Sequence, residues 1–288
     1  MLERLDTSPL DMKRHAARIR QKIIKMICGY GKGHTAAALS WVEIATSLFF
    51  GVLRVDPENP KNPERDRFLL SKGHGCTTLY ATLAERGYFQ EKKLDEYYTL
   101  GSCLGGHPVN GLPGVEVATG SLGHGLPIAV GMALAAKTDG KKHRIFTVLG
   151  DGELQEGSVW EACLAAAHFR LDNLVVVVDR NYLESDGPTE ELMALEPLED
   201  KFRDFNWGVR TVDGHDCHVL VNALREVPYI IGRPSIVLAL TVKGKGIDFM
   251  ENVPEWHNKA PVPGSLQAKE CFLQIEAQLA DLERDECT

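Results

Sequence analysis

The chain has 288 residues, of which 44% are hydrophobic and 25% are charged, as is ordinary for a globular protein with a large core. We expect one domain over residues 1–288. The formal net charge of −8 is spread along the sequence without long runs, which disfavours nucleic acid as a partner.

The cysteine pattern and the N-terminal residues bear on the cellular compartment. Seven cysteines are scattered without a C-x-x-C pair, which argues against a disulfide framework and a zinc cluster. No apolar run looks long enough to cross a bilayer, and residues 1–20 lack the apolar core of a secretory signal. We therefore expect reduced thiols, no membrane association and a cytoplasmic location.

Two helices and a strand are predicted in the first third of the chain. Apolar residues at helical spacing predict an amphipathic helix over residues 9–28 and a second helix over residues 36–53. A glycine-rich break delivers His34 between them, without the G-x-x-x-x-G-K-[ST] pattern of a P-loop. A short strand over residues 67–70 leads to His74 and a further helix. A side chain at such a junction commonly faces a ligand, although a lone histidine there is more often structural.

A glycine-dense segment follows, and it contains two more histidines. Residues 101–125 include His107 and His124, and a helix is predicted over residues 126–136. Free amide groups at the N-terminal side of such a helix suit a diphosphate. On its own, this pattern is only a moderate signal for an anion site.

The segment over residues 145–187 organises the rest of the chain. An apolar run over residues 145–149 ends in Gly150-Asp151-Gly152, and after a helical stretch a second run over residues 174–178 leads to Asn181. This is the pattern of a βαβ unit, whose parallel strands end at the same edge of the sheet. We expect Asp151 and Asn181 to meet at that edge, where open α/β sheets bind ligands.

The residue types at this edge favour a metal and a diphosphate. A carboxylate, an amide oxygen and a loop carbonyl are hard donors, well suited to Mg²⁺ that is completed by phosphate oxygens and water. Gly150 and Gly152 allow the backbone to approach a phosphate closely. The alternative is a structural aspartate in a tight turn with a capping asparagine. The agreement between the glycines, the spacing and both flanking strands favours the metal-diphosphate site.

The last third continues the alternation of strands and helices. A strand, a turn and a helix are predicted within residues 209–224, a buried strand over residues 235–242 and a terminal helix over residues 265–286. The buried strand ends in KGKG at residues 243–246, which could be a solvated turn or a phosphate loop. Together these elements predict an α/β fold with a mostly parallel sheet and helices on both faces.

Several motifs resemble one enzyme family. Gly150-Asp151-Gly152 followed by Asn181 resembles the thiamine-diphosphate-binding motif, and ELQEG with WEA between them is similar to the transketolase family in particular. The resemblance continues in order through GKGHTAAALS, DRFLLSKGHGCTTLYA, GHPVNGLPGVEVATGSLGHGLPIAVGMALA and EWHNKAP. It implies the diphosphate-binding fold of that family. It also implies that Asp151, Asn181 and the carbonyl of Leu183 hold Mg²⁺, or Ca²⁺ or Mn²⁺ in its place.

The resemblance also implies roles for individual residues in the transfer of a two-carbon ketol unit. Catalytic roles fall to His34, His74, His107 and His257, and imidazoles suit proton transfer near neutral pH. Contacts with the cofactor fall to His74, Gly120, Ser121, Leu122, Gly150, Asp151, Gly152, Glu153, Asn181 and His257. Glu156 and Glu161, which by themselves suggest solvated helix glutamates, correspond to family residues at the interface between two active sites.

The matched region predicts an enzyme made of two kinds of chain. Full-length transketolases continue into a pyrimidine-binding domain and a C-terminal domain, so we expect a separate subunit to supply them in an α2β2 assembly. The substrates implied are sugars or sugar phosphates. One alternative is a subunit of another split thiamine-diphosphate enzyme, such as a 2-oxoacid dehydrogenase, and another is a non-catalytic regulatory half.

Overall fold

The strands form one parallel sheet in the computed structural model, which describes residue 5 and residues 7–284. They are β1 (Arg67–Leu70), β2 (Ile145–Gly150), β3 (Leu174–Arg180), β4 (Gly208–Asp213) and β5 (Ser235–Leu240). Their order across the sheet is β1-β2-β3-β5-β4, and each neighbouring pair is parallel. The parallel α/β sheet predicted from the sequence is confirmed.

The α-helices within the described residues alternate with these strands. They are α1 (Pro9–Tyr30), α2 (Thr35–Leu39), α3 (Val42–Ser47), α4 (Cys76–Arg86), α5 (Gly125–Thr138), α6 (Gly157–His168), α7 (Thr189–Leu192), α8 (Leu198–Asp204), α9 (Cys217–Arg225) and α10 (Leu266–Arg284). The short helices α7 and α8 lie in the acidic connection after β3, where the sequence pattern predicted none. Residues 285 and 286 of the predicted terminal helix lie outside the described residues.

The sheet separates two hydrophobic cores, because alternate residues of a strand face opposite sides. On β3, Val175 and Val177 pack in a core that includes side chains of α1, α3 and α4. Val176 and Val178 pack in a second core with side chains of α5 and α6. Helices therefore cover both faces, as expected for strands that are apolar on both sides.

The adjacency of β2 and β3 is what brings the expected ligand residues together. The two strands are parallel neighbours, and Gly150 pairs in register with Asp179. The residues that follow, Asp151 on one strand and Arg180 and Asn181 on the other, therefore lie at the same edge of the sheet. The predicted βαβ unit, with α6 as its connecting helix, is confirmed.

Local sequence signals explain the limits of α1. Ser8 caps its N-terminus, where Ser8 Oγ accepts a hydrogen bond from Asp11 N at 3.1 Å, and Pro9 occupies the first turn. The helix ends at Gly31, whose φ of 71° is left-handed. Any other residue at this position would also place a Cβ 2.7 Å from Pro263 Cδ.

The segment predicted as one helix over residues 36–53 is helical over most of its length but is interrupted at Ser40 and Trp41. The structure breaks this segment into α2, α3 and a π-helical turn. The break falls at Ser40 and Trp41, whose side chains bond to distant residues. Ser40 Oγ donates to Asp179 Oδ2 at 2.5 Å, and Trp41 Nε1 donates to Gly75 O at 3.3 Å. Tertiary hydrogen bonds therefore override the helical periodicity at this point.

The expectation that no apolar run is long enough to cross a bilayer is wrong for the same segment. The 18 residues Thr35–Val52 have a mean hydropathy of 1.4, which satisfies the length and composition of a membrane-spanning helix. The structure buries all of them inside the protein. Their apolar character is accounted for by the packing of α2 and α3 within the first core.

Candidate active site

A cavity of about 300 Å³ lies beyond the carboxyl ends of β1, β2, β3 and β5. Its lining residues are His34, Ala37, Lys72, His74, His107, Gly120, Leu122, Gly150, Asp151, Gly152, Glu153, Asn181, Leu183, Glu184, Ser185, Lys243 and His257. Most of the predicted catalytic, cofactor and metal residues are therefore in one place. Of the others, Ser121, Glu156 and Glu161 are exposed and lie outside this lining.

Asp151 is held rigidly at the end of β2. It is 2% exposed, and its Oδ1 accepts a hydrogen bond from Gly152 N at 2.9 Å. Its Oδ2 accepts bonds from Tyr182 N at 2.6 Å and from Arg180 Nη1 at 3.3 Å. Burial and the nearby charge of Asp179 raise the pKa of Asp151. A cation beside this carboxylate would favour its ionised form.

Asn181 and Leu183 add two further oxygen donors beside Asp151. Asn181 is 5% exposed, and its Oδ1 accepts a hydrogen bond from Leu183 N at 3.2 Å. In the part of the chain that the structure describes, no three His, Cys, Asp or Glu side chains form a metal site. The donors here are instead one carboxylate, one amide oxygen and one main-chain carbonyl. This set fits Mg²⁺ whose remaining ligands are phosphate oxygens and water.

The KGKG motif forms a turn whose first lysine, Lys243, lines the cavity, and phosphate binding by this motif stays a prediction. Lys243 is 2% exposed, and its Nζ donates at 2.6 Å to Leu183 O, the carbonyl that is itself a predicted metal ligand, so Mg²⁺ would have to displace the lysine from this oxygen. Burial lowers the pKa of Lys243 to about 8. Lys245 of the same motif is half-buried and pairs with Glu251 instead. Only the first lysine of the motif is therefore placed to bind an anion in the cavity.

Four histidines from distant parts of the chain surround the cavity. The ring centroid of His34 lies 5.2 Å from that of His74, 6.2 Å from that of His107 and 5.8 Å from that of His257. Burial lowers the pKa of His34, lowers that of His74 further and lowers that of His257 to about 3. Neighbouring lysines act in the same direction. These three imidazoles are therefore neutral at pH 7, and their surroundings disfavour the protonated form.

One of these imidazoles carries an unused polar atom. His257 Nδ1 is buried and has no hydrogen-bond partner in the described part of the molecule. A buried polar atom without a partner is costly, so it suits a position that a ligand completes. The open backbone at Gly150 and Gly152, where an added Cβ would meet nothing nearer than 3.4 Å, leaves space for that ligand. These features fit thiamine diphosphate.

A buried ion pair beneath the cavity was not predicted from the sequence. The Lys72 Nζ donates to Asp179 Oδ2, which also accepts a bond from Ser40 Oγ at 2.5 Å. The second oxygen of Asp179 accepts a bond from Thr241 Oγ1. The charge of Lys72 and these hydrogen bonds outweigh burial and lower the pKa of Asp179. The sequence signal that could have indicated this ion pair is Asp179 itself, which follows a run of valines, because a carboxylate buried in such a strand needs a partner.

The Glu153 side chain bonds to the protein backbone around the cavity. It is 2% exposed, and its carboxylate accepts hydrogen bonds from the amides of Gly123 and Gly150. The amide of Gly123, at the N-terminal side of α5, is therefore not free to donate to a diphosphate. Direct contact between Glu153 and the cofactor stays a prediction.

Comparisons with known proteins agree with these features. Residues 12–269 match the family described as "Transketolase, thiamine diphosphate binding domain". The chain is 47% identical over 253 residues to one subunit of the apulose-4-phosphate transketolase of Actinobacillus succinogenes, covering 87% of this chain and 91% of that protein. It is 43% identical over 250 residues to one subunit of the 6-deoxy-6-sulfo-D-fructose transketolase of Clostridium sp. strain MSTE9, covering 86% and 91%.

Solved structures show the same relationship at the level of the fold. A transketolase variant from Pichia stipitis superimposes with a TM-score of 0.84 and 28% sequence identity. The match covers 96% of this chain but 45% of that enzyme. The chain therefore spans about half the length of this single-chain relative, and most of the length of the two subunits that it matches.

Proposed function

Because this chain belongs to the transketolase family and matches its thiamine-diphosphate-binding part, we propose that it is the diphosphate-binding subunit of a two-chain transketolase. It requires a partner that supplies the remaining domains. The observation that carries the proposal is the gathering of Asp151, Asn181 and four histidines in one cavity at the carboxyl edge of the sheet. The family match favours this function over a 2-oxoacid dehydrogenase subunit or a regulatory half.

The residues divide into two groups within the proposed site. Asp151, Asn181 and the carbonyl of Leu183 would hold Mg²⁺, and Lys243 would offset charge on the diphosphate. Thiamine diphosphate supplies the carbon nucleophile that makes ketol transfer possible. The chain orients that cofactor and controls the protons around it.

The histidines would act on the sugar substrate. The His34 ring centroid lies 5.2 to 6.2 Å from those of the other three, and those of His74 and His257 are 5.3 Å apart, so the rings could contact adjacent hydroxyl and carbonyl oxygens of one ketose. His34, His74 and His257 are neutral at pH 7, so each offers one ring nitrogen as a hydrogen-bond donor and the other as an acceptor to oxygens of the sugar. His107 is exposed at the mouth of the cavity and would position the donor.

The partner would contact an exposed strip on α5 and α6, two helices that pack together. On α5, Ile128 is 37% exposed, and a Cβ added at the exposed Gly131 would meet no atom outside its own helix within 4 Å. On α6, Leu164 is 65% exposed, and Glu161 lies one turn before it. Exposed apolar side chains beside glutamates support an interface here, and we propose that it belongs to a cytoplasmic α2β2 assembly in which Glu156 and Glu161 lie between two active sites.

A ketol-transfer assay tests the proposal. The chain is assayed alone and with its partner, with thiamine diphosphate and Mg²⁺, using xylulose 5-phosphate, apulose 4-phosphate or 6-deoxy-6-sulfo-D-fructose as donor. The acceptor in each reaction is ribose 5-phosphate. We expect transfer only from the mixture, and none when the chain carries Asp151→Asn. The variant Glu276→Gln, at an exposed position on α10, is the matched control and should be fully active.

Two results would contradict the proposal. Transfer by this chain alone would show that no partner is needed. Oxidative decarboxylation of a 2-oxoacid by the mixture, without ketol transfer, would support the dehydrogenase alternative instead.

A further inference from the structure

The carboxylate of Glu153 joins three segments of the cavity wall. Its Oε1 accepts a hydrogen bond from Gly123 N at 3.0 Å and a second from the hydroxyl of Ser71. Its Oε2 accepts a bond from Gly150 N at 3.1 Å. The side chain is enclosed by these three donors and is 2% exposed.

Each donor belongs to a different part of the proposed cofactor site. Ser71 follows β1 and begins the segment that carries Lys72 and His74. Gly123 ends the glycine loop that lines the cavity with Gly120 and Leu122. Gly150 ends β2 and immediately precedes Asp151. Positions 71 and 150 lie at the carboxyl ends of the paired strands β1 and β2, whereas position 123 lies in the glycine loop, so the Glu153 carboxylate joins that loop to the edge of the sheet.

The same segments are packed too closely to move independently. A Cβ added at Gly73 would lie 2.8 Å from the main-chain carbon of Thr119. A Cβ added at Gly125 would lie 2.3 Å from Ser71 Oγ. Thr119 Oγ1 also donates to Leu70 O at 2.6 Å. A shift of any one segment would therefore displace the others.

Burial raises the pKa of Glu153, whereas the three hydrogen bonds that it accepts favour its ionised form, which does not bond a diphosphate directly. An ionised carboxylate has acceptor atoms only, and a diphosphate oxygen is also an acceptor. The two negative charges would repel each other. A contribution of Glu153 to cofactor binding must therefore act through the groups that it holds.

We propose that Glu153 is a positioning residue for thiamine diphosphate: it fixes the metal loop, the glycine loop and the segment carrying Lys72 and His74 relative to one another. The inference rests on the proposed function. It predicts that the neutral variant Glu153→Gln binds the cofactor more weakly. Electrostatic repulsion alone predicts tighter cofactor binding by Glu153→Gln, because the variant loses a negative charge beside the diphosphate.

The binding of thiamine diphosphate with Mg²⁺ to the assembled complex tests the inference. Isothermal calorimetry compares wild type, Glu153→Gln and the control Glu276→Gln. The side chain of glutamine ends in one acceptor oxygen and one NH₂ donor. One of the two backbone amides, Gly123 N or Gly150 N, would then face the NH₂ group and lose its hydrogen bond. We expect about a tenfold higher Kd for Glu153→Gln, the scale of one unsatisfied buried donor, and an unchanged Kd for the control.

Steady-state kinetics separates positioning from general damage. If Glu153 positions the site, the KM for thiamine diphosphate rises about tenfold while kcat at saturating cofactor stays near the wild-type value. Equal or tighter cofactor binding by Glu153→Gln would overturn the inference. So would a lower kcat with an unchanged KM for the cofactor.

A second variant decides the question if Glu153→Gln does not fold. Ser71→Ala removes one donor and leaves both backbone hydrogen bonds, and we expect about a tenfold higher Kd, the lower end of the range for a hydrogen bond to a charged group. An unchanged Kd for Ser71→Ala would then overturn the inference. Failure of the wild-type complex to bind thiamine diphosphate is a different outcome, because it would refute the proposed function itself.

Discussion

Replacing Asp179 by asparagine should destabilise this protein far more than breaking a surface ion pair. Asp179 is fully buried, and Lys72, Ser40 and Thr241 all donate to its carboxylate. The side chain of Lys72 is only 2% exposed. Loss of the carboxylate charge would leave the ammonium group buried without a counter-charge.

The burial of the two partners sets the expected size of the effect. Removing one partner of a buried ion pair costs about 3–5 kcal/mol. For 288 residues, with an unfolding entropy of about 2.1 cal/mol/K per residue, this lowers Tm by about 5–8 °C. The surface pair of Arg203 and Asp200 has side chains that are 51% and 68% exposed. Such an exposed pair contributes little to stability, so Asp200→Asn should lower Tm by at most about 2 °C.

Calorimetry and urea unfolding at pH 7, without cofactor, measure these differences. The double variant Lys72→Met with Asp179→Asn tests the cause, because it removes both charges. It should recover much of the stability lost in Asp179→Asn, since the penalty comes from the unpaired buried cation. The reasoning is refuted if Asp179→Asn melts within 2 °C of Asp200→Asn, or if the double variant is less stable than the single one.

Three further outcomes are expected. Asp151→Asn should weaken Mg²⁺-dependent binding of thiamine diphosphate at least about tenfold in calorimetry, and unchanged binding would exclude Asp151 as a ligand. Lys243→Met should raise the KM for thiamine diphosphate, because it removes a buried cation beside the diphosphate site; an unchanged KM would argue against that contact. The pKa of His257 is about 3 in the fold and about 6.5 when unfolded, so its protonation favours unfolding as pH falls from about 6.5 to 3. His257→Asn should therefore lose less unfolding free energy than wild type over that window in urea titrations, and parallel curves would contradict this.

The sequence pattern determined the framework of the site. The apolar runs of β2 and β3, each followed by polar residues, predicted two parallel strands with Asp151 and Asn181 at one edge, and the register of Gly150 with Asp179 agrees. This prediction succeeds because a βαβ connection fixes strand direction and adjacency from local information. The resemblance to transketolases then predicted which distant histidines share a cavity. Their catalytic roles stay a prediction.

Local periodicity could not supply the contacts between distant segments. The helical pattern of residues 36–53 gave no sign of the break at Ser40, since the break depends on a bond to Asp179. It also could not pair Lys72 with Asp179, 107 positions apart.

The sequence by itself thus determined the order of strands and helices, the apolar faces and the donor residues at the edge of the sheet, because these follow from spacing along the chain. Only the tertiary structure decided that Glu153 bonds Ser71, Gly123 and Gly150, and that Lys243 faces the cavity. The physical reason is that a buried charged group must find its partners wherever the packed chain places them.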